Sequence, residues 1–369
     1  MTLPVAGDDD ARPHRLAAVR DRLARADLDG LLLTSLPNVR YLTGFSGTSA
    51  LLFVTARECL LFTDFRYAAQ VEEELGSTTT VRIEPTSLWA GLWSWLAGLT
   101  GVERIGFESP HLTHRDFTRL LEQGARWHWR PASELVEALR AIKDAGEVAA
   151  IERAVAMAEA ALQVTLPQIH PGMSELAVAG RLERALRDAG SEAFPFPTIV
   201  ASGPRSALPH ARAGDRPLRR GDLLLVDFGA VADGYCADLT RTVVVGPATA
   251  AQQEVHAIVR EANHRASGAI RAGMTGMAAD ALARDYIASL GYGEAFGHSL
   301  GHGIGLEVHE APRLARSVET ALQPGSVVTI EPGIYREGWG GVRIEDDVLV
   351  TESGGRVLSS FPRDLLELD

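Results

Sequence analysis

The second part of the chain contains an internal repeat, which restricts the folds that this part can adopt. Residues 172–190 (GMSELAVAGRLERALRDAG) align without gaps to residues 273–291 (GMTGMAADALARDYIASLG). Residues 218–229 (LRRGDLLLVDFG) align in the same way to residues 322–333 (LQPGSVVTIEPG). Each unit predicts a helix with a hydroxyl N-cap and a glycine after its end, followed by a strand, a carboxylate and a glycine. Because neither unit alone can bury its sheet face, we predict two pseudo-symmetric halves that pack together.

The rest of the chain of 369 residues predicts a tail and a smaller domain in front of this repeat. We expect residues 1–11 to be a disordered tail, because they lack an apolar core and carry an acidic run. Over residues 12–140, short apolar runs alternate with helical patterns, which favours an α/β layer with a mostly buried sheet. Asp144 followed by Glu147 predicts a capping box that opens a long Ala-rich helix, so the second domain is placed at residues 144–369.

Charge and cysteine content exclude several classes of protein. A formal net charge of −12 disfavours nucleic acid and anionic membranes as partners. The two cysteines, Cys59 and Cys236, are too few for a disulfide scaffold, which indicates a reducing compartment. The N-terminus does not resemble a signal peptide, and no apolar stretch reaches the length of a membrane span. We therefore expect a cytoplasmic protein with neither a nucleic-acid nor a membrane partner.

Each repeat predicts a β-hairpin that carries two carboxylates. In the first, an Asp-Gly turn at residues 233–234 lies midway between Asp227 and Asp238, to within about one residue. In the second, a glycine-rich turn lies midway between Glu331 and Glu345. We therefore expect the two members of each pair to face each other across their own ladder, on one face of the sheet.

Four carboxylates on adjoining sheet faces would repel one another unless a cation neutralised them. The stretch GHSLGHGIGLEVHE, at residues 297–310, holds three histidines and four glycines and can supply an imidazole. Taken alone, this stretch is equally compatible with a metal site and with a glycine-rich surface loop. Together with the carboxylates it predicts an oxygen-rich site with one nitrogen ligand, which suits Mn²⁺ or Co²⁺ better than a lone tetrahedral Zn²⁺. Several carboxylates able to bridge imply two divalent metal ions that clamp a water molecule, with Mn²⁺ favoured and Co²⁺ or Zn²⁺ as alternatives.

These motifs resemble the pita-bread metallopeptidase family, which includes methionine aminopeptidase, aminopeptidase P and prolidase. The resemblance implies an α+β fold, in which a smaller α/β creatinase-type N-terminal domain precedes a pita-bread catalytic domain with a pseudo-two-fold repeat. The stretches NVRYLTGFSG and TDFRYAAQ resemble that N-terminal domain. Methionine aminopeptidases lack it, so the Xaa-Pro peptidase branch is favoured. By the same resemblance, the metal ligands are Asp227, Asp238, His302, Glu331 and Glu345. Of these, Asp238 and Glu345 are the implied bridging ligands.

The resemblance also implies catalytic and substrate-binding residues. Glu331 is the implied proton acceptor, and His210 (in SALPHA) and His309 (in LEVHE) are implied to steady the tetrahedral intermediate and the leaving nitrogen. His298, in GHSLGH, matches a further active-site histidine that can equally be a support for His302. The implied substrate-binding residues are His210, His298, His309, Arg313 and Arg343.

The two arginines bear on which peptides are cleaved. In related prolidases an arginine near Arg313 is thought to grip the carboxylate of a dipeptide. Arg313 can instead pair with Glu310, however, and Arg343 with a neighbouring ligand carboxylate. On this ground we expect an open cleft and an aminopeptidase P type of enzyme, which releases the first residue from peptides with proline in second position.

Three other functions remain open. The alternatives are a prolidase restricted to dipeptides, a metal-free creatine-hydrolysing enzyme and a non-catalytic peptide-binding protein. The last two are disfavoured, because all five ligand positions are filled. The resemblance also implies a homodimer.

Overall fold

The computed structural model of the protein describes residues 10–369. The predicted tail at residues 1–11 therefore lies, apart from its last two residues, outside the described residues. The chain divides into two compact units, of which the first ends at Arg140 and the second begins at Ala141. Within the described part of the chain, no helix is long and apolar enough to cross a membrane.

The first unit is an α/β layer, as the alternation of apolar runs and helical patterns predicts. Its helices are α1 (Arg12–Arg25), α2 (Leu36–Thr43), α3 (Ala68–Glu74), α4 (Leu88–Gly98), α5 (His114–Glu122) and α6 (Glu137–Arg140). Its strands are β1 (Gly30–Leu33), β2 (Leu51–Thr55), β3 (Cys59–Asp64), β4 (Thr80–Glu84), β5 (Arg104–Glu108) and β6 (His128–Ala132). They form one mixed sheet in the order β4-β3-β2-β1-β5-β6. All residues of β1 and β2 are buried, which fits a central strand pair covered on both faces.

The second unit contains two long helix pairs and a larger set of short strands. Its helices are α7 (Ala145–Thr165), α8 (Glu175–Asp188), α9 (Ala250–Ala269) and α10 (Gly276–Ser289). The strands of its first half are β7 (Ile199–Ser202), β8 (Leu223–Phe228), β9 (Val231–Ala232), β10 (Tyr235–Cys236) and β11 (Leu239–Val245). Those of its second half are β12 (Gly301–Gly303), β13 (Glu310–Leu314), β14 (Val327–Ile330), β15 (Gly333–Arg336), β16 (Gly340–Arg343), β17 (Asp346–Val350), β18 (Gly355–Val357) and β19 (Glu367–Leu368).

Four short 3₁₀ segments and five sheets complete the description of residues 10–369. The 3₁₀ segments are Phe65–Tyr67, Leu166–Gln168, Gly203–Ala207 and Gly293–Ala295. In the second unit, one sheet has the order β19-β11-β8-β7 and another the order β13-β12-β14-β17-β18. The pairs β9–β10 and β15–β16 form separate two-stranded ladders that extend the two hairpins. The predicted capping box is present, since Asp144 accepts from Glu147 N and Glu147 accepts from Asp144 N.

The predicted repeat is confirmed at the level of hydrogen bonds. Ser174 caps α8 and Thr275 caps α10, each by accepting a hydrogen bond from the backbone N–H three residues later. Each cap residue also forms an isolated bridge to the segment that leads into the following sheet, at Pro217 in one half and Ala321 in the other. A separate hydrophobic cluster lies beneath each helix pair, α7 with α8 and α9 with α10. Two similar halves thus bring their sheets together, as burial of their apolar faces requires.

Candidate metal centre

The first hairpin turns where the sequence predicts, but its carboxylates lie diagonally. Asp233 and Gly234 have φ values of 50° and 79°, the left-handed pair that a two-residue hairpin turn requires. The ladder places Asp227 opposite Thr240. Asp238 precedes Thr240 by two residues, so it shares the face of Asp227 without lying directly opposite it. The predicted direct pairing is corrected to a diagonal one, because the midpoint between Asp227 and Asp238 lies one residue before the turn centre between Asp233 and Gly234.

The second hairpin has the predicted register. The ladder between β14 and β17 ends at the pair Ile330 and Asp346, and the ladder between β15 and β16 continues in the same register. Glu331 and Glu345 stand between the two ladders and are therefore opposite each other. The turn is centred on Gly338, which has a φ of 75°. Glycine adopts this left-handed conformation without steric cost.

The two hairpins meet at Thr240 and Glu345. These residues form an isolated bridge, in which Glu345 N donates to Thr240 O at 3.1 Å. The Thr240 hydroxyl donates to Glu345 Oε2 at 2.6 Å. Potential ligand atoms of Asp238, His302 and Glu345 all lie within 4.8 Å of one another. Carboxylates that are far apart in the sequence thus converge on one buried cluster.

His302 presents an unprotonated nitrogen to this cluster. Its Nδ1 lies 3.1 Å from Gly303 O and therefore carries the hydrogen in the neutral ring. Burial lowers the pKa of His302 to about 4, so the ring is neutral at pH 7. Its Nε2 lies 3.8 Å from Asp238 Oδ2 and 3.6 Å from Glu331 Oε1. A lone pair that faces carboxylate oxygens is repelled unless a cation lies between them, as in a metal site.

The carboxylates of this cluster have raised pKa values. Burial, followed by repulsion from Asp227, raises the pKa of Glu345 to about 8. Burial and repulsion from Glu345 also raise the pKa values of Asp238 and Glu331 well above their usual range. Within the described residues, the buried Oδ1 atoms of Asp227 and Asp238 have no hydrogen-bond partner. Buried carboxylate oxygens are rarely left unpaired, so this oxygen-rich set with one nitrogen fits divalent cations.

Arg343 is buried and bound entirely within the protein. Its guanidinium donates to Asp227 Oδ2 at 2.5 Å, to Thr240 Oγ1 at 3.0 Å and to Tyr335 Oη at 2.8 Å. Only 4% of the Arg343 side chain is exposed. The donors of Arg343 thus hold Asp227 and Thr240, and its predicted role in substrate binding stays a prediction.

His298 is connected to Arg343 through Tyr335, a residue that the sequence did not single out. His298 Nδ1 lies 2.8 Å from Ser299 O, so Nε2 accepts from the Tyr335 hydroxyl at 3.0 Å. His298 Nδ1 also lies 3.9 Å from Glu331 Oε2. Burial lowers the pKa of His298 to about 4, which keeps the ring neutral. The sequence feature that could have indicated Tyr335 is the pair Gly340 and Gly341 on the facing strand. Tyr335 lies opposite Gly341, which has no side chain and leaves room for the ring.

The remaining predicted residues are exposed to solvent. His309 lies beside the cluster, with its ring centroid 4.2 Å from that of His302. Partial burial lowers the pKa of His309, and the nearby His210 lowers it further. Arg313 is exposed on β13 and lies opposite His302 in the ladder.

The possible pairing of Arg313 with Glu310 is not formed. Glu310 pairs instead with Lys143, at 2.7 Å between Oε1 and Nζ. Among residues 10–369, no hydrogen bond or ion pair engages the Arg313 side chain. The Arg313 guanidinium, which lies on the strand beside His302, therefore has no hydrogen-bond or ion-pair partner in the described part of the chain.

Known families match both units of the chain. Residues 15–142 match the creatinase/prolidase N-terminal domain, and residues 149–352 match the metallopeptidase family M24. The chain belongs to metallopeptidase family M24. Divalent metal ions are the cofactors that this family implies, and the buried Asp, His and Glu cluster agrees with that requirement.

Relatives of this M24 peptidase match it over nearly its whole length. The Xaa-Pro dipeptidase of Pyrococcus horikoshii is 35% identical over 97% of this chain and 100% of its own. A solved Xaa-Pro dipeptidase from Bacillus anthracis is 40% identical, with a TM-score of 0.92, and the match covers 97% of this chain and 100% of that one. A solved X-Pro aminopeptidase from Thermotoga maritima is 36% identical, with a TM-score of 0.89, and the match covers 96% and 99%. The predicted fold and the resemblance to the Xaa-Pro branch of the family are confirmed.

Proposed function

We propose that this M24 peptidase is an Xaa-Pro dipeptidase, which hydrolyses the bond between a first residue and a C-terminal proline. The sequence alone favoured an aminopeptidase P type of enzyme, because Arg313 had a possible partner in Glu310. That partner is taken by Lys143. The exposed guanidinium of Arg313, opposite His302 and without a carboxylate partner among the described residues, carries the proposal. A dipeptide bound at the cluster has a free carboxylate one residue beyond the scissile bond, and such a cation can bind it.

We propose that two divalent metal ions are held by Asp227, Asp238, His302, Glu331 and Glu345. Mn²⁺ is favoured because four of these five ligands are hard oxygen donors, with Co²⁺ and Zn²⁺ as alternatives. When bound, the ions supply a water molecule of lowered pKa and polarise the scissile carbonyl group. The buried Oδ1 atoms of Asp227 and Asp238, which have no hydrogen-bond partner within residues 10–369, support this assignment.

Four side chains around the cluster, Glu331, His298, His309 and His210, are our candidates to assist the reaction. Glu331 is our candidate to accept the proton of the attacking water, and Nδ1 of His298 lies 3.9 Å from its Oε2. His309 is neutral near pH 7 and can donate a hydrogen bond to the oxyanion that develops on the carbonyl. The proline nitrogen has no hydrogen before cleavage, so the leaving amine must receive a proton from an enzyme group or from water. His210, exposed near His309, is our candidate to steady that nitrogen.

The discriminating assay compares three substrates in the presence of Mn²⁺. These are Ala-Pro, its amide Ala-Pro-NH₂ and the tripeptide Ala-Pro-Ala. We expect efficient cleavage of the dipeptide alone, because only the dipeptide presents a carboxylate at the position facing Arg313. Comparable kcat/KM for the tripeptide would support the aminopeptidase P reading, for which the likeness to the Thermotoga maritima enzyme is the favouring observation. Binding of all three without turnover, at full metal content, would indicate a non-catalytic peptide-binding protein.

A further inference from the structure

A buried ion pair joins the segment before α7 to strand β13, outside the proposed metal ligands. Lys143 Nζ and Glu310 Oε1 are 2.7 Å apart, and the two side chains are only 1% and 7% exposed. Removing two charges from water costs about as much as their attraction returns, so a buried pair of this kind contributes little net stability. Its physical effect is to hold two chain segments in one geometry. Neither residue has a role in the reaction described above.

Two glycines of the stretch at residues 297–310 make room for this pair. A Cβ atom on Gly305 would lie 2.4 Å from Glu310 Oε1, and one on Gly303 would lie 2.1 Å from Ala311 O. Real Cβ atoms essentially never approach other atoms so closely. Gly303 is therefore required by the close approach of the β13 backbone, and a side chain at position 305 would displace the Glu310 carboxylate. The glycine-rich character of the stretch is partly explained by the ion pair and not only by metal binding.

Strand β13 changes register between the ion pair and the free arginine. Gly303 pairs with Glu310, whereas the preceding residue, His302, pairs with Arg313. Two residues of β13 are thus left over in a bulge between Glu310 and Arg313. A bulge changes the direction of the side chains that follow it, and its position in a ladder can slip unless a contact holds it. Here one contact at the edge of the bulge is the ion pair between Glu310 and Lys143.

We propose that Lys143, acting through Glu310, is a positioning residue for His309 and Arg313. Glu310 follows His309 directly and begins the bulge that ends at Arg313. Holding Glu310 therefore sets the position of the imidazole on one side and of the guanidinium on the other. This inference rests on the proposed function, because the ligand of Arg313 in that proposal is the carboxylate of the dipeptide.

Lys143 can also influence the metal cluster through Asp347, and the experiment must separate this effect from the effect through Glu310. Its charge opposes the rise in the pKa of the buried Asp347. Asp347 Oδ2 in turn accepts a hydrogen bond from Asp238 N at 3.1 Å. If Lys143 acted by this route, its replacement would change metal content, since Asp238 is a proposed ligand. If it acts through Glu310, metal content stays constant and recognition of the substrate carboxylate is lost.

The test compares Lys143→Met, Lys143→Arg and Arg313→Ala on Ala-Pro and Ala-Pro-NH₂, with metal content measured for each. We expect Lys143→Met to raise KM for Ala-Pro roughly 10- to 100-fold, the range of one charge-assisted hydrogen bond, and to change KM for the amide much less. Lys143→Arg, which keeps the charge, should restore most of the affinity for the dipeptide. The variant Lys143→Met/Arg313→Ala should have a KM no higher than Arg313→Ala alone, because both changes remove the same interaction.

Lys143→Met removes the cation that faces the buried charge of Glu310, which can prevent folding. The variant Lys143→Met/Glu310→Gln avoids that charge and still lacks the ion pair, so it is expected to show the same loss of dipeptide affinity. A wild-type KM in this variant, additive effects with Arg313→Ala, or loss of metal would each overturn the inference. If Arg313→Ala itself leaves the KM for Ala-Pro unchanged, the proposed function fails instead, and the two failures are thereby distinguished.

Discussion

The hydroxyl group of Thr240 donates a hydrogen bond of 2.6 Å to Oε2 of Glu345 and accepts one of 3.0 Å from Nε of Arg343. Thr240 belongs to the first hairpin, and its two partners belong to the second. Arg343 in turn binds Asp227, which lies opposite Thr240 in the first hairpin. One buried hydroxyl therefore closes a ring of hydrogen bonds that holds carboxylates from both halves of the repeat in place.

Replacement of Thr240 by valine is expected to weaken metal binding and lower stability. The side chain keeps its shape, but Glu345 loses a donor and Arg343 loses an acceptor in a buried setting. We expect the free energy of unfolding to fall by about 1–3 kcal/mol, measured by denaturant unfolding, together with weaker Mn²⁺ binding by calorimetry. Thr165→Val is the matched control, since that buried hydroxyl bonds only within α7. Unchanged Mn²⁺ affinity in Thr240→Val would contradict the role given to this hydroxyl.

Asp238→Asn is expected to impair activity more than stability. The substitution removes a proposed bridging ligand, so metal content and turnover should both fall. It also removes one negative charge from a cluster whose members raise each other's pKa values, which relieves repulsion in the metal-free protein. Elemental analysis, kcat and thermal unfolding of the same preparation test the three parts. Near wild-type turnover with a full complement of metal would remove Asp238 from the proposed ligands.

The metal-free protein is expected to lose stability as pH rises from 6.5 to 8. Glu345 has its pKa raised from 4.5 to about 8, so between these values the folded state binds more protons than the unfolded state and the free energy of unfolding falls as pH rises. His302, whose pKa is lowered from 6.5 to about 4, has the opposite effect, but only below pH 6.5. Denaturant unfolding at both pH values, with chelator and with Mn²⁺, measures the effect. The same decline with bound Mn²⁺ would contradict a cation at this cluster.

Turnover is expected to depend strictly on divalent metal. The motivation is the convergence of acidic side chains on the unprotonated Nε2 of His302. Exhaustive chelation should abolish hydrolysis of Ala-Pro, and addition of Mn²⁺ or Co²⁺ should restore it. Full activity in a preparation that elemental analysis finds free of metal would disprove the proposed mechanism.

The protein is expected to form a homodimer. This prediction rests on the resemblance to the Xaa-Pro peptidase branch, which includes the creatinase-type N-terminal domain matched at residues 15–142. Light scattering coupled to size exclusion, at micromolar concentration, measures the mass directly. A mass of 39.6 kDa, that of one chain, would refute the prediction.

Features governed by local chemistry were readable from the sequence. Ser174 and Thr275 cap their helices because a side-chain oxygen satisfies a free N–H at the helix start, and this preference is local. The Asp-Gly turn after β9 likewise follows from the left-handed conformation that these residues tolerate. Counting from each turn then placed Glu331 opposite Glu345, while Asp238 was misplaced relative to Asp227 because their midpoint lies one residue before the centre of the Asp-Gly turn. Period and turn chemistry therefore suffice for the two halves, the hairpins and the convergence of the acidic residues.

Long-range pairing of charged side chains was decided by the tertiary structure. Arg343 could serve a substrate or a ligand carboxylate, and Glu310 could pair with Arg313 or with another cation, as judged from sequence neighbours alone. In the folded chain Arg343 is buried against Asp227, and Glu310 reaches Lys143, far away in the sequence. A buried charge takes the partner that neutralises it in a low-dielectric interior, and that partner is set by packing rather than by spacing along the chain. Because Lys143 neutralises Glu310, the guanidinium of Arg313 stays available for a ligand. No local sequence pattern predicts this pairing.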